Sequence, residues 1–191
     1  MASAKRDHLV TTALNLFTRN GYRATGIDSI LVESGVAKMT LYNHFKSKDE
    51  LIIAVLNKRD DEFLVWLREA IDRYSPVQLG DARLHNLLAL FDALDEWINS
   101  DSFYGCNFIN ASIEFKRVDD PIHVAAAAHK KLMLQIIQEL LAPLELSNTL
   151  QVARQVHMLI EGAIVMAVTI NEKHAALIAK ETALQVLQKY L

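Results

Sequence analysis

The sequence predicts an all-α fold of about nine helices. Three observations carry this. Only three prolines and six glycines punctuate 191 residues. No stretch alternates apolar and polar with the period of two that a half-buried strand needs. Apolar residues instead recur three and four apart, and with 51% of the chain hydrophobic there is ample material for a core.

The elements follow in order. Residues 4–20 form a first helix with Leu9, Ala13, Leu16 and Phe17 on one face, and Asn20-Gly21 ends it. Lys5 and Arg6 at its amino end either reach a phosphate or lie on a solvated terminus. Thr25, with Asp28 three residues on, reads as a capping box ahead of the stripe Ile27, Ile30 and Leu31. Gly35 supplies the positive φ that closes this second helix. A very short third helix runs from about Lys38 to His44, with Leu41 and Phe45 inward. Ser47 and Glu50 form a second capping box, opening a helix at Leu51 that continues to about Arg73, where Tyr74-Ser75-Pro76 breaks it. Helices over 82–99 and 102–116 follow, the latter capped by Asp101 or Ser102. Asp120-Pro121 opens the next, with Asp as cap and Pro in the first turn, and it continues to about Leu141. Ser147 to Asn171 and 175–190 complete the chain.

The second and third helices, joined by a tight Gly-bearing turn, have the form of a helix-turn-helix. In that motif the second helix enters the DNA major groove. The outward positions here are Lys38, Met39, Thr40, Tyr42, Asn43 and His44, with no acid among them. Asn pairs bidentately with adenine, while Thr and Tyr hydroxyls suit phosphate oxygens. Lys48 at the amino end of the following helix adds a cation to free amides, a phosphate clamp. His44 fits either a phosphate contact or a hydrogen bond closing its own helix. Thr25, Lys38, Met39, Thr40, Tyr42, Asn43, His44 and Lys48 are the candidate DNA-binding residues.

Phe17, Gly21, Thr25, Ile30, Gly35-Val36, Thr40-Leu41-Tyr42, His44-Phe45, Lys48 and Leu51 resemble the amino-terminal domain of TetR-family transcriptional repressors. The likeness covers about the first fifty residues and is denser than a bare helix-turn-helix. Beyond them the chain is similar only in length, helicity and layout. Two positions depart from the family pattern. Ala37 stands where a serine cap is usual, which removes one bond worth about 1 kcal/mol. Met39 stands where a small residue is usual, and either touches a thymine methyl or fills space. The resemblance implies a DNA-binding domain over 1–50 and a helical ligand-binding and dimerisation domain over 51–191.

Charge distribution agrees with DNA contact at one end. Residues 1–50 carry seven Lys/Arg against five Asp/Glu, net +2, whereas the rest carries −5, giving −3 for the chain. One cysteine, Cys106, excludes an intramolecular disulfide and fits a reducing compartment. It lies either at a helix amino end, where a thiol could sense oxidants, or in ordinary small-residue packing. Met1 to Arg6 leads into a charged helix rather than a signal peptide, and the uncharged run Gly162 to Ile170 falls short of the ~20 residues of a membrane span. The expectation is a cytoplasmic protein with no membrane partner. There is no phosphate loop, nucleophile elbow or zinc spacing, so neither an enzyme, a metal site nor a cofactor is expected.

The last two long helices are apolar on more than one face, and such helices are buried on more than one face. Val156, Ile160, Ala163, Ile164, Ala167, Leu177 and Leu184 are candidates for a homodimer four-helix bundle, the alternative being a monomer with these helices deep in its core. A palindromic operator demands paired heads about 34–36 Å apart. The resemblance also implies a small-molecule pocket in the body. Trp66, Phe91, Cys106, Phe108, Met133, His157 and Glu161 are its candidate lining, and those same apolar residues would serve as plain core. Glu161 follows His157 by four residues, so the two can pair. The effector expected there is apolar or aromatic.

Together these point to a ligand-responsive transcriptional repressor, released from a palindromic operator by a small-molecule effector. The alternatives are an all-helical small-molecule binding protein and a DNA-binding regulator without ligand control. A carrier has no need of polar residues at 38, 40 and 43 with a clamp at 48.

Overall fold

Helix α1, Ala2–Asn20, sets the first core because Leu9, Val10, Ala13 and Phe17 share one face and are all buried. The structure, a computed structural model, describes residues 2–191, with side chains from Ala4 onward. Nine α-helices and no strand occur among the described residues. They are α1, α2 (Ile27–Ser34), α3 (Lys38–His44), α4 (Lys48–Tyr74), α5 (His85–Ile98), α6 (Asn107–Glu114), α7 (Pro121–Leu141), α8 (Thr149–Ile170) and α9 (Ala175–Leu187).

Packing divides the chain into two units that do not follow chain order. One comprises Met1–Phe63 with Cys106–His129, the other Leu64–Gly105 with Lys130–Leu191. One boundary between them, Phe63 to Leu64, falls inside α4, which runs unbroken from Lys48 to Tyr74.

In the first unit, Ile30, Leu41, Phe45, Leu51, Ile52 and Val55 join the α1 face as core. Tyr22 is fully buried, 5.1 Å from the Phe17 ring, and burial pushes its phenol well above the ordinary range. Helix α6 belongs here and is shorter than expected. It starts at Asn107, because Gly105 (φ 84) turns the chain just before it and neither Asp101 nor Ser102 acts as cap. His129 of α7 stacks on Phe108 at 3.6 Å, and its Nδ1 lies 2.6 Å from an Asp60 carboxylate oxygen.

In the second unit α9 packs against both α8 and α5. Helix α5 buries Leu87, Phe91, Leu94 and Ile98, and α9 buries the small residues Ala176, Ala179 and Ala183. The Lys180 ammonium reaches both Asp92 oxygens at 2.7 Å, a paired charge at the edge of that core. By length and composition α8 passes for a membrane-crossing helix. Two apolar faces, one turned to its own core, produce the same pattern.

Candidate nucleic-acid interface

The short α3 owes its position to three local devices. Gly35 ends α2 at φ 64, with its amide on the Leu31 carbonyl at 3.0 Å. Ala37 is the N-cap of α3 and makes no side-chain cap bond, as the sequence requires. At the far end the Ser47 hydroxyl accepts the Glu50 amide at 3.2 Å, and Glu50 reaches back to the Lys46 amide at 2.6 Å. The capping box opens α4 three residues earlier than expected, at Lys48.

Leu41 and Phe45 are buried, so the rest of α3 is turned outward. Met39 is 77% and Tyr42 40% exposed. Lys38 and Asn43 are exposed, while Thr40 and His44 are half-buried. Lys38 lies 3.6 Å from Asp28, but both are solvent-exposed, so the pair is a weak tie that a phosphate can displace. His44 stands with its ring 6.4 Å from Phe45.

Lys48 is held rather than free. Its Nζ donates to the Arg23 carbonyl at 3.4 Å and lies 6.0 Å over the Phe17 ring. Burial lowers its pKa, and the carboxylates of Glu114 and Asp49 oppose that shift.

Thr25 does not cap α2 as its spacing suggests. It is 3% exposed, and the N-cap of α2 is Gly26, which makes no side-chain cap bond. The Thr25 hydroxyl instead donates to the Gly21 carbonyl at 2.8 Å and lies 3.4 Å from that of Leu16. The Thr25 side chain is thus buried and bonded back onto the end of α1 and the turn after it.

The remaining candidates fall in different places. Cys106 and Phe108 lie in the first unit, whereas Trp66, Phe91, Met133, His157 and Glu161 lie in the second. Within the second, His157 Nε2 is 3.3 Å from Glu161, and Lys130 Nζ donates to the same carboxylate at 2.8 Å. Burial would raise the Glu161 carboxyl, but His157 and Lys130 outweigh it and hold the group below its ordinary value. Of the expected dimer residues, Val156, Ile160, Ala163, Ile164 and Ala167 are buried within the single chain. The apolar side chains that α8 leaves exposed are others, Leu150, Met158, Val165, Met166, Val168 and Ile170; on α9 the expected Leu177 is exposed, as is Ile178. Periodicity revealed two apolar faces and not which one turns inward.

Sequence reasoning missed Glu114 altogether. Its carboxylate accepts the amides of Tyr22 at 2.9 Å and Arg23 at 2.6 Å, ninety-odd positions away. An open groove of about 570 Å³ beside it is lined by Arg23, Ile113, Phe115, Lys116, Arg117 and Asp120. Nothing in the local pattern around residue 114 marks it.

Comparison with known proteins bears on the family and the fold. The model of a family described as bacterial regulatory proteins, tetR family, matches residues 9–55, which covers α2, α3 and the opening of α4. The transcriptional activator FasR of Mycolicibacterium smegmatis is 32% identical over 134 residues, 70% of this chain. This chain spans 58% of the length of FasR. The transcriptional repressor KstR2 of the same organism is 33% identical over 97 residues, 50% of this chain and 44% of that protein. Among solved structures, a TetR-family transcriptional regulator from Streptomyces coelicolor superposes with a TM-score of 0.85 at 28% identity, covering 98% of this chain and 96% of that one.

Proposed function

We propose that this chain, which belongs to the tetR family of bacterial regulatory proteins and is a DNA-binding transcriptional regulator rather than an enzyme, acts as a dimeric, ligand-responsive repressor of a palindromic operator. The observation that carries the reading is the outward face of α3. Lys38, Met39, Tyr42 and Asn43 stand exposed on a helix anchored by Leu41 and Phe45, with Lys48 ordered beside it. Donors, acceptors and a methyl-contacting thioether without a carboxylate form a base-reading surface. Residues 1–50 then serve as the DNA-binding domain and 51–191 as the domain for effector and dimer.

Dimerisation uses the exposed stripe of α8 and α9, with Met158, Val165, Met166, Leu177 and Ile178 at its centre. Gly162 lies in this stripe, exposed, with nothing within 4 Å of the Cβ it lacks. Glycine in mid-helix costs about 1 kcal/mol relative to alanine. Close approach of a second helix gives that cost a use. An effector in the body acts through its different affinity for the DNA-competent and DNA-incompetent states. Lys130 and Glu161 pair with each other, which supports an apolar or aromatic molecule as the ligand class. Contact with chromosomal DNA places the protein in the cytoplasm.

Selection from random duplex DNA at two salt concentrations tests the reading. Enrichment of a palindrome with half-sites about one helical turn apart is expected. Weak, salt-steep binding without enrichment refutes it. FasR is named an activator, which makes activation the second reading. A reporter under the selected operator, with and without the protein, decides the sign.

A further inference from the structure

The turn between α1 and α2 is a two-amide cradle that already holds an anion from within the chain. Gly21 takes φ 84, and the amides of Tyr22 and Arg23 then point the same way, onto the two oxygens of Glu114 at 2.9 and 2.6 Å. Successive N–H groups arranged this way form an anion-binding concavity. The fit is close. A Cβ on residue 21 would stand 3.1 Å from the Glu114 carboxylate.

Further bonds tie the same two segments. Arg23 Nε donates to the Glu114 carbonyl at 2.9 Å, and its guanidinium covers the Phe115 ring at 5.2 Å. The Tyr22 hydroxyl donates to the Asn107 carbonyl at 3.2 Å, and the Asn107 amide donates to Thr18 at 2.7 Å. Both ends of α6 are thus fastened to the end of α1 and the turn after it. The carbonyl of Arg23, the residue that Glu114 grips, is the acceptor of Lys48.

We propose that Glu114 is a positioning residue for operator binding: by fixing the Tyr22–Arg23 turn it holds the Arg23 carbonyl that places the Lys48 ammonium for a DNA phosphate. This rests on the reading that α3 and Lys48 face DNA. Electrostatics alone makes the opposite prediction. Glu114 is a carboxylate close enough to Lys48 to act on its charge. Removing a negative charge beside a phosphate contact tightens DNA binding unless the charge is needed to hold something in place.

The test is Glu114→Gln in the full chain, on the operator selected by the unaltered protein. Glutamine keeps the shape but offers one acceptor to two amides. Operator affinity is expected to fall despite the lost repulsion. The slope of log affinity against log salt should become shallower by up to about 1.8, the value for two phosphate contacts in a dimer. In a Lys48→Ala background the substitution should add nothing. The Tyr22 and Arg23 amide protons, followed by NMR, should move upfield and exchange faster. Glu114→Asp keeps the charge but shortens the reach by one methylene, and the same losses are expected of it in smaller degree. It is read in the same way if the Gln variant fails to fold. Affinity that rises or stays level with an unaltered slope, while the unaltered protein binds, overturns the positioning role alone. So does weaker binding with an unaltered slope and a lower Tm, which marks a structural contact only. An unaltered protein that selects no sequence overturns the functional reading, and this role with it.

Discussion

Lys48→Ala offers the most quantitative test of how the protein meets DNA. The side chain is half-buried, and its Nζ is anchored on the Arg23 carbonyl and over the Phe17 ring. An ammonium ordered in advance loses little further rotamer freedom when a phosphate arrives, so its contribution should appear almost entirely as counterion release. Each phosphate neutralised on B-DNA contributes about 0.9 to the salt slope. A dimer brings two copies of Lys48, so the substitution should flatten the slope by about 1.8. Over a fourfold rise in salt, from about 50 to about 200 mM, the unaltered protein should lose about 12-fold more affinity than the variant. Loss of the contact with Phe17 adds a small folding cost, since cation–π contacts at exposed sites are worth about 0.5–1 kcal/mol. A Tm lowered by no more than about 4 °C is expected. Fluorescence anisotropy across a salt series, with the dimer checked by sedimentation, measures all of this. A slope that stays put, whatever happens to affinity at one salt concentration, removes Lys48 from the phosphate contacts and refutes the reasoning.

Three further outcomes follow from the same geometry. Gly162→Leu adds a side chain where the single chain leaves open space, so the helix should persist while sedimentation shows monomers at concentrations where the unaltered protein dimerises; an intact dimer would move the interface off this stripe. Thr25→Val removes a buried hydroxyl from the Gly21 and Leu16 carbonyls, which should destabilise the amino-terminal region by about 1–3 kcal/mol without altering the salt slope, measured by urea unfolding. Glu161 is held below its ordinary value in the folded state, so its contribution to stability is complete above the unfolded-state pKa of about 4.3 and disappears as pH falls through the lower folded one. Glu161→Gln should therefore flatten the acid limb of the stability profile and leave the region below both pKa values unchanged; an acid limb of undiminished slope would contradict this.

What the sequence disclosed and what it withheld divide along the range of the interactions. Gly35, the Ser47–Glu50 box and the Asp120-Pro121 start act within four residues of themselves, and each sits in the structure as the chain implied. Thr25 has the residue type and spacing of a cap, yet the structure turns its hydroxyl backward onto α1. Either arrangement satisfies a helix terminus, and only the path of the turn selects between them. The late start of α6 follows from Gly105, whose missing Cβ would lie 2.8 Å from a methyl of Val168, a neighbour no local window contains. The two faces of α8 were visible as composition, but the side that met α9 and α5 was fixed by packing, which left Met158, Val165 and Met166 outside and Val156, Ile160 and Ala163 within. Glu114 is the extreme case. Its nearest partners stand ninety-odd positions earlier, and its neighbours Ile113 and Lys116 are ordinary surface residues. A carboxylate acquires a role when the fold brings orphan amides to it, and the amides of Tyr22 and Arg23 are orphans because Gly21 ends α1 just before them. The signal for that site was present in the sequence only as a glycine with a donor-rich turn behind it. Its acceptor had to be found in space.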